Sequence, residues 1–245
     1  MGEDGPKLDI STFLLSSIHD MKNSMGVMAA YLQDALSLHG DMAERDATGN
    51  PAETGELGGT AREKTAQALY EAQRVTDHLI QLLAIYKIDQ SFYPFDPQDH
   101  ALTDLAHEAM ARVADLAELN GIELDCDCPD ELYGWFDHEL VFGVVVQALH
   151  NALRYSKRRV SLGVQAHESG VRIRVEDDGH GYPDFLLAQG NGLERGISFE
   201  TGSTGLGLYF AGVVAGMHKG AGRIGRISLE NGGNLGGGRF VLDLP

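Results

Sequence analysis

The stretch Val171-Arg172-Ile173-Arg174-Val175-Glu176-Asp177-Asp178-Gly179-His180-Gly181 alternates apolar and charged residues, then runs out into carboxylates and glycines. Period-two alternation puts Val171, Ile173 and Val175 on one face of a strand and Arg172 and Arg174 on the other. A carboxylate at the end of such a strand, read here as Asp178, can accept a hydrogen bond from the exocyclic amine of adenine. Gly179 and Gly181 beyond it let the backbone approach a flat base without side-chain collision.

Two further motifs flank this turn. Upstream, a helix starting near Asp137, a residue suited to an N-cap, carries Gln147-Ala148-Leu149-His150-Asn151-Ala152-Leu153-Arg154-Tyr155. Asn151 offers a neutral oxygen suited to Mg²⁺ bridging phosphates, and Arg154 lies nearly one turn further on the same side. Tyr155 closes the same segment and is grouped with them. Downstream, Ser203-Thr204-Gly205-Leu206-Gly207-Leu208 opens another helix, whose N-terminal N–H groups and dipole favour phosphate. Each motif alone is weak. The three in this order, on elements that suit them, point to a nucleotide site built from Asn151, Arg154, Tyr155, Asp178, Gly179, Gly181 and Thr204 through Leu208.

The rest of the second half alternates helix and strand. The patterns predict a helix over 104–119, strands over 122–128 and 160–164, a helix over 207–218, and a hairpin of 224–230 and 239–244 around Asn231-Gly232-Gly233. Strands with helices between them imply an α+β fold, an α/β sandwich with one mixed sheet covered on one face.

The first half reads as two long helices. Phe13, Ile18, Met21, Met25, Met28, Leu32 and Leu36 form a stripe on the first, and Leu69, Ala72, Thr76, Leu79, Leu83 and Tyr86 on the second. Residues 40–60, rich in Gly, Ala, Glu and Thr, lack periodicity and are expected to be an irregular connection. Two helices cannot enclose a core, so a homodimer burying both stripes in a four-helix bundle is the physical expectation. Phe92-Tyr93-Pro94-Phe95-Asp96-Pro97 breaks the second helix, giving expected domains over 1–93 and 94–245.

The order of nucleotide motifs resembles the ATP-binding fold shared by gyrase, the Hsp90 chaperone, histidine kinases and the MutL repair protein. Asn151 matches that family's N box, Asp178-Gly179-His180-Gly181 its first glycine box and Thr204-Gly205-Leu206-Gly207-Leu208 its second, over about residues 99–245. Branches that hydrolyse ATP place a glutamate four residues before the asparagine. Gln147 stands there and cannot act as a general base; histidine kinases usually have asparagine. The first helix supplies a second resemblance. His19-Asp20-Met21-Lys22-Asn23 is similar to the histidine kinase H box, which implies His19 as phosphoacceptor, Asp20 as general base and Asn23 in phosphatase activity. Family members often have proline next, where this chain has Ser24.

The resemblance implies a two-component sensor histidine kinase core, a protein-histidine kinase using ATP and Mg²⁺. It would phosphorylate His19 and pass the group to an aspartate of a response regulator receiver domain. The alternative is a non-catalytic phosphotransfer scaffold with a vestigial ATP domain. A net charge of −17 argues against nucleic-acid or anionic-membrane binding. With no apolar run long enough to span a bilayer, the expected location is cytoplasmic. The short stretch before the first helix leaves no room for a sensor, so a separate regulatory protein is an expected partner. Cys126 and Cys128 would share a strand face, too close for an ordinary disulfide loop, and read as reduced thiols.

Overall fold

The computed structural model describes residues 21, 23–35, 37, 38, 51–167, 170–188, 206–220 and 222–245, which divide between Leu83 and Ala84 into two compact units. In the first unit, α1 is helical over 23–35, with 21, 37 and 38. Met21, Ser24 and Ala35 are buried, with Met28 and Tyr31 half-buried between them, the spacing of one helical face. Lys64 of α2 (Pro51–Asp89) sets its Nζ 5.0 Å above the Tyr31 ring.

Two expectations for this unit need correction. The irregular connection does not extend to Thr60, because α2 begins at Pro51. Proline is favoured at the first helical position, where its missing N–H costs nothing. Glycines cost only about 1 kcal/mol each within a long helix. Nor is each large apolar residue of the expected stripes buried: Met21 is, but Met25 and Leu32 are exposed, as are Leu69, Leu79, Leu83 and Tyr86, while Ala68, His78 and Gln81 are buried. Most of the α2 stripe therefore lies uncovered in a single chain.

The second unit holds β1 (Gln98–Ala101), α3 (Leu102–Leu119), β2 (Glu123–Asp127), β3 (Tyr133–Phe136), α4 (His138–Tyr155), β4 (Arg159–His167), β5 (Gly170–Asp177), α5 (Asp184–Ala188), α6 (Leu206–Met217), β6 (Lys219–Gly220), β7 (Arg223–Ile224), β8 (Arg226–Asn231) and β9 (Gly238–Leu244). Five strands form one sheet in the order β2-β4-β5-β9-β8, parallel only between β2 and β4. The mixed sheet expected from sequence is present. The β1–β3 ribbon was not expected, since its four-residue strands bury only Phe136 among β3 residues and carry no readable alternation. The terminal hairpin also differs. Ile224 pairs with Lys219 in a separate small ribbon, and β8 and β9 are joined by residues 232–237 rather than a tight turn.

Register explains the layering. Leu162 pairs with Val175, which pairs with Phe240, which pairs with Leu229. The next row is Val164, Ile173, Leu242 and Ile227. These rows face the buried residues of α3, α4 and α6, such as Leu105, Val144, Leu149 and Val214. Fully burying a side chain such as Leu162 or Leu242 stabilises by about 1.5–3 kcal/mol. The opposite face carries charge pairs, with Arg239 bonded to Glu176 at 2.9 Å and Glu230 at 3.0 Å, and Arg172 to Asp243 at 2.6 Å.

Candidate functional site

Helix α4 is fixed at its start by Asp137, whose carboxylate accepts the Leu140 amide at 3.1 Å, as expected of the N-cap. One side of α4 is buried through Leu140, Val141, Val144, Ala148, Leu149 and Ala152. Gly143, Gln147, Asn151 and Arg154 share another face at spacings of four, four and three. Helix α6 sits against the start of that face. A Cβ on Gly207 would lie 2.7 Å from Gln147 Nε2, and one on Gly143 3.4 Å from the Phe210 ring. Gln147 is thus packed beside the N-terminus of α6, with half-exposed Asn151 one turn further on. At the end of α4 the Arg154 guanidinium lies 5.4 Å above the Tyr155 ring, which meets the His180 ring edge-on at 5.4 Å.

The glycine turn after β5 closes against this helix end. A side chain at Gly179 would collide with the Tyr155 carbonyl oxygen and come within 2.8 Å of Asp177 Oδ1. Gly181 has a φ of 79°, a conformation few other residues adopt.

The two aspartates have separate tasks. Asp178 Oδ1 accepts the amides of Lys157 at 2.8 Å and Arg158 at 3.1 Å, stitching the α4–β4 turn to the end of β5. Desolvation would raise its pKa, but the amides of Arg158 and Lys157 outweigh it and hold the carboxyl below its ordinary range. Asp177 is buried, and its Oδ1 accepts Gly179 N at 2.8 Å and Gly238 N at 3.1 Å. Its Oδ2 has no hydrogen-bond donor among the described residues. The same holds for Asp178 Oδ2, so what sets Asp177 apart is its burial on the inward face of β5. Strand parity could have found it, because Val171, Ile173 and Val175 continue to Asp177 on the inward face.

Sequence reading also missed the β8–β9 loop. Gly237 N donates to the Asp177 carbonyl at 3.0 Å, and a Cβ on Gly237 would come within 2.5 Å of that oxygen. Leu206, Gly207 and Leu208 open α6, with Leu206 fully buried. His19, Asp20, Thr204 and Gly205 lie outside the described residues, and Asn23 is exposed on α1. Among the described residues no group of His, Cys, Asp and Glu could hold a metal on its own. Cys126 and Cys128 are free, and burial first, then neighbouring charge including Asp127, pushes the Cys128 thiol up to about 11.

Residues 136–245 match the family described as histidine kinase-, DNA gyrase B- and HSP90-like ATPase. Over this segment the chain is similar to that family, which supports an ATP-binding core. The likeness to curated proteins extends beyond this segment. The chain is 28% identical over 183 residues to the sensor histidine kinase RppB of Synechocystis sp., covering 71% of this chain and 39% of that protein. It is 25% identical to the sensor-like histidine kinase SenX3 of Mycobacterium bovis, covering 86% and 49%. The chain thus spans less than half the length of these curated relatives. Among solved structures, the Acinetobacter baumannii histidine kinase AdeS superimposes with a TM-score of 0.55 at 14% identity, over 92% of this chain and 96% of that one. The catalytic domain of histidine kinase ThkA gives 0.52 at 19% identity, over 61% and 95%. At these identities the superpositions establish the fold. No described helix is long and apolar enough to cross a membrane.

Proposed function

We propose that this chain is the catalytic core of a two-component sensor histidine kinase, which phosphorylates its own His19 from ATP and transfers the group to an aspartate of a response regulator. The observation that carries the nucleotide part is the Asp177 carboxylate. One oxygen is saturated by backbone amides and the other is open to an incoming donor, beside a glycine turn with no room for side chains. That oxygen suits the exocyclic amine of adenine.

Asn151, Arg154 and Tyr155 on α4, with Thr204 and Gly205 and the first α6 residues Leu206, Gly207 and Leu208, are assigned to the phosphates and sugar. Asn151 is the protein ligand for Mg²⁺, a metal that commonly takes few protein ligands and is otherwise held by phosphates and water. The bound nucleotide supplies the γ-phosphoryl group. His19 would attack the phosphorus as ADP leaves, with Asp20 taking the imidazole proton. Gln147, packed against Gly207, provides no carboxylate to activate water, which favours transfer over hydrolysis. Asn23, exposed on α1, would position a water that hydrolyses the phospho-aspartate of the partner and releases phosphate.

The uncovered Leu69, Leu79, Leu83 and Tyr86 support a homodimer whose hairpins, within residues 1–93, form a four-helix bundle. Residues 94–245 would form the catalytic domain. The response regulator, a separate sensor or regulatory protein and a cytoplasmic location belong to the same proposal.

The test is incubation of the purified chain with γ-labelled ATP and Mg²⁺ beside His19→Ala. Acid-labile, base-stable label on the wild type that vanishes in the variant is the expected result. Label that survives in the variant would move the acceptor elsewhere. Absence of both label and ATP binding would sink the kinase reading in favour of a phosphotransfer scaffold.

A further inference from the structure

Asn231, the last residue of β8, faces the turn that follows the first glycine motif. Its Oδ1 accepts the Tyr182 amide at 2.7 Å, and its Nδ2 donates to the Tyr182 carbonyl at 2.9 Å. A primary amide offers one acceptor and one donor side by side, as a peptide unit does in a strand pair. Asn231 thus holds residue 182 as a neighbouring strand would, at a place where the backbone has no strand partner. The fit is close on both sides. A Cβ on Gly181, where φ is 79°, would come within 2.6 Å of Asn231 Oδ1.

The clamp reaches the binding carboxylate through Tyr182. The Tyr182 ring lies against Gly238, with Cε2 3.1 Å from where a Cβ on that glycine would stand. The Gly238 amide in turn holds Asp177 Oδ1 at 3.1 Å. Burial of the phenol, and after it the charge of Asp177, push the Tyr182 pKa upward. Asn231, Tyr182, Gly238 and Asp177 therefore form one chain of contacts, and its last member keeps an oxygen, Oδ2, with no donor among the described residues.

We infer that Asn231 is a positioning residue for base selection, locking Tyr182 over Gly238 so that Asp177 keeps the single orientation that accepts an adenine amine. This rests on the nucleotide reading above and adds to it the residue that sets base specificity. At the corresponding edge guanine presents a carbonyl oxygen, which a fixed carboxylate repels. A carboxylate free to swing would lose that discrimination while the phosphate contacts, made by α4 and α6, remain.

The experiment is calorimetric titration of the full chain with ADP and with GDP, in the wild type and in Asn231→Ala, together with hydrogen exchange of the Tyr182 amide. The expected result is a loss of about tenfold in ADP affinity, the scale of one or two hydrogen bonds. GDP affinity should change little, and the Tyr182 amide should exchange faster. Asn231→Asp should not restore selectivity, because its second oxygen would face the Tyr182 carbonyl. Tyr182→Ala, which leaves the clamp and removes the ring, should reproduce the loss and serves if Asn231→Ala does not fold. An unchanged ADP-to-GDP ratio in either folded variant would overturn the inference and leave the nucleotide site standing. A wild type that binds no ADP would overturn the nucleotide reading, and the inference with it.

Discussion

Asp137 and His218, 81 positions apart in sequence, are joined by a 3.0 Å hydrogen bond from the Asp137 amide to Nε2 of the buried imidazole. Because Nε2 accepts, Nδ1 carries the proton and donates to the Val214 carbonyl at 2.8 Å. The Asp137 carboxylate meanwhile caps α4, accepts the Asp96 amide at 3.2 Å and takes the Tyr93 hydroxyl at 3.3 Å. Burial, reinforced by the Asp137 charge, pushes the Tyr93 phenol up to about 12. Phe95 adds its ring edge-on to His218 at 5.1 Å. The tract 92–97, expected as a domain boundary, is thereby tied to the start of α4 and the end of α6.

This arrangement makes stability depend on pH. Burial holds the His218 pKa below its ordinary 6.5, against smaller raising effects from the Val214 carbonyl and Asp137. The unfolded chain therefore binds more protons than the folded one just below pH 6.5, and stability falls as pH drops through that window. Thermal melts across this range should show the decline in the wild type. His218→Gln should be less stable at neutral pH by about 1–3 kcal/mol, with a flatter pH profile. An equal slope in both would assign the decline to other groups.

Asp177 and Asp178 should separate cleanly by substitution. Asp177→Asn should weaken ADP binding by about a hundredfold or more, since a site built to accept a hydrogen bond loses most when the acceptor is lost. Asp178→Asn should keep ADP affinity and cost about 1–2 kcal/mol of stability, because its partners are the Lys157 and Arg158 amides. Titration calorimetry and urea melts on both variants decide it. The reverse pattern would return the base-binding role to Asp178.

Gly237→Ala should damage the site through backbone crowding. The added methyl would come within 2.5 Å of the Asp177 carbonyl, Asp177 Oδ1 and Gly179 N. A loss of about 1–3 kcal/mol is expected from such overpacking, with ADP binding lost as Asp177 is displaced. Gly212→Ala in α6 is the control, since nothing lies within 4 Å of its Cβ position. It should stabilise by roughly 0.5–1 kcal/mol as a helix-interior glycine replaced by alanine.

Leu79→Glu combined with Leu83→Glu places charge on the uncovered stripe of α2, where the native side chains are 52% and 53% exposed. Sedimentation equilibrium should report a dimer for the wild type and a monomer for the double variant, with ADP binding retained. A wild type that sediments as a monomer would remove the bundle from the proposal.

Much of the ATPase domain was legible residue by residue. The strand alternation around Val171–Val175, the Asp137 cap and the extent of α4 are local properties, set by side-chain chemistry within a few positions. The order of glycine motifs is equally local, and it pointed to a nucleotide site. What escaped reading was non-local or had no period. The β1–β3 ribbon joins residues about 35 positions apart with little apolar pattern. In α1 and α2 the apolar period is visible, but which face a single chain buries depends on helix pairing, and Met25 and Leu32 proved exposed.

The choice between the two aspartates draws the same line. Composition and spacing placed a carboxylate at the end of β5, read as Asp178, although parity along the strand puts Asp177 on the inward face. Only folding decided their tasks, because apart from the Gly179 amide on Asp177 the amides that hold them come from elsewhere in the chain. Asp178 is held from 20 and 21 residues upstream, and Asp177 from Gly238, 61 residues downstream. A hydrogen-bond acceptor is committed or left open by the donors that folding brings to it, and those donors are backbone groups that every residue except proline carries alike.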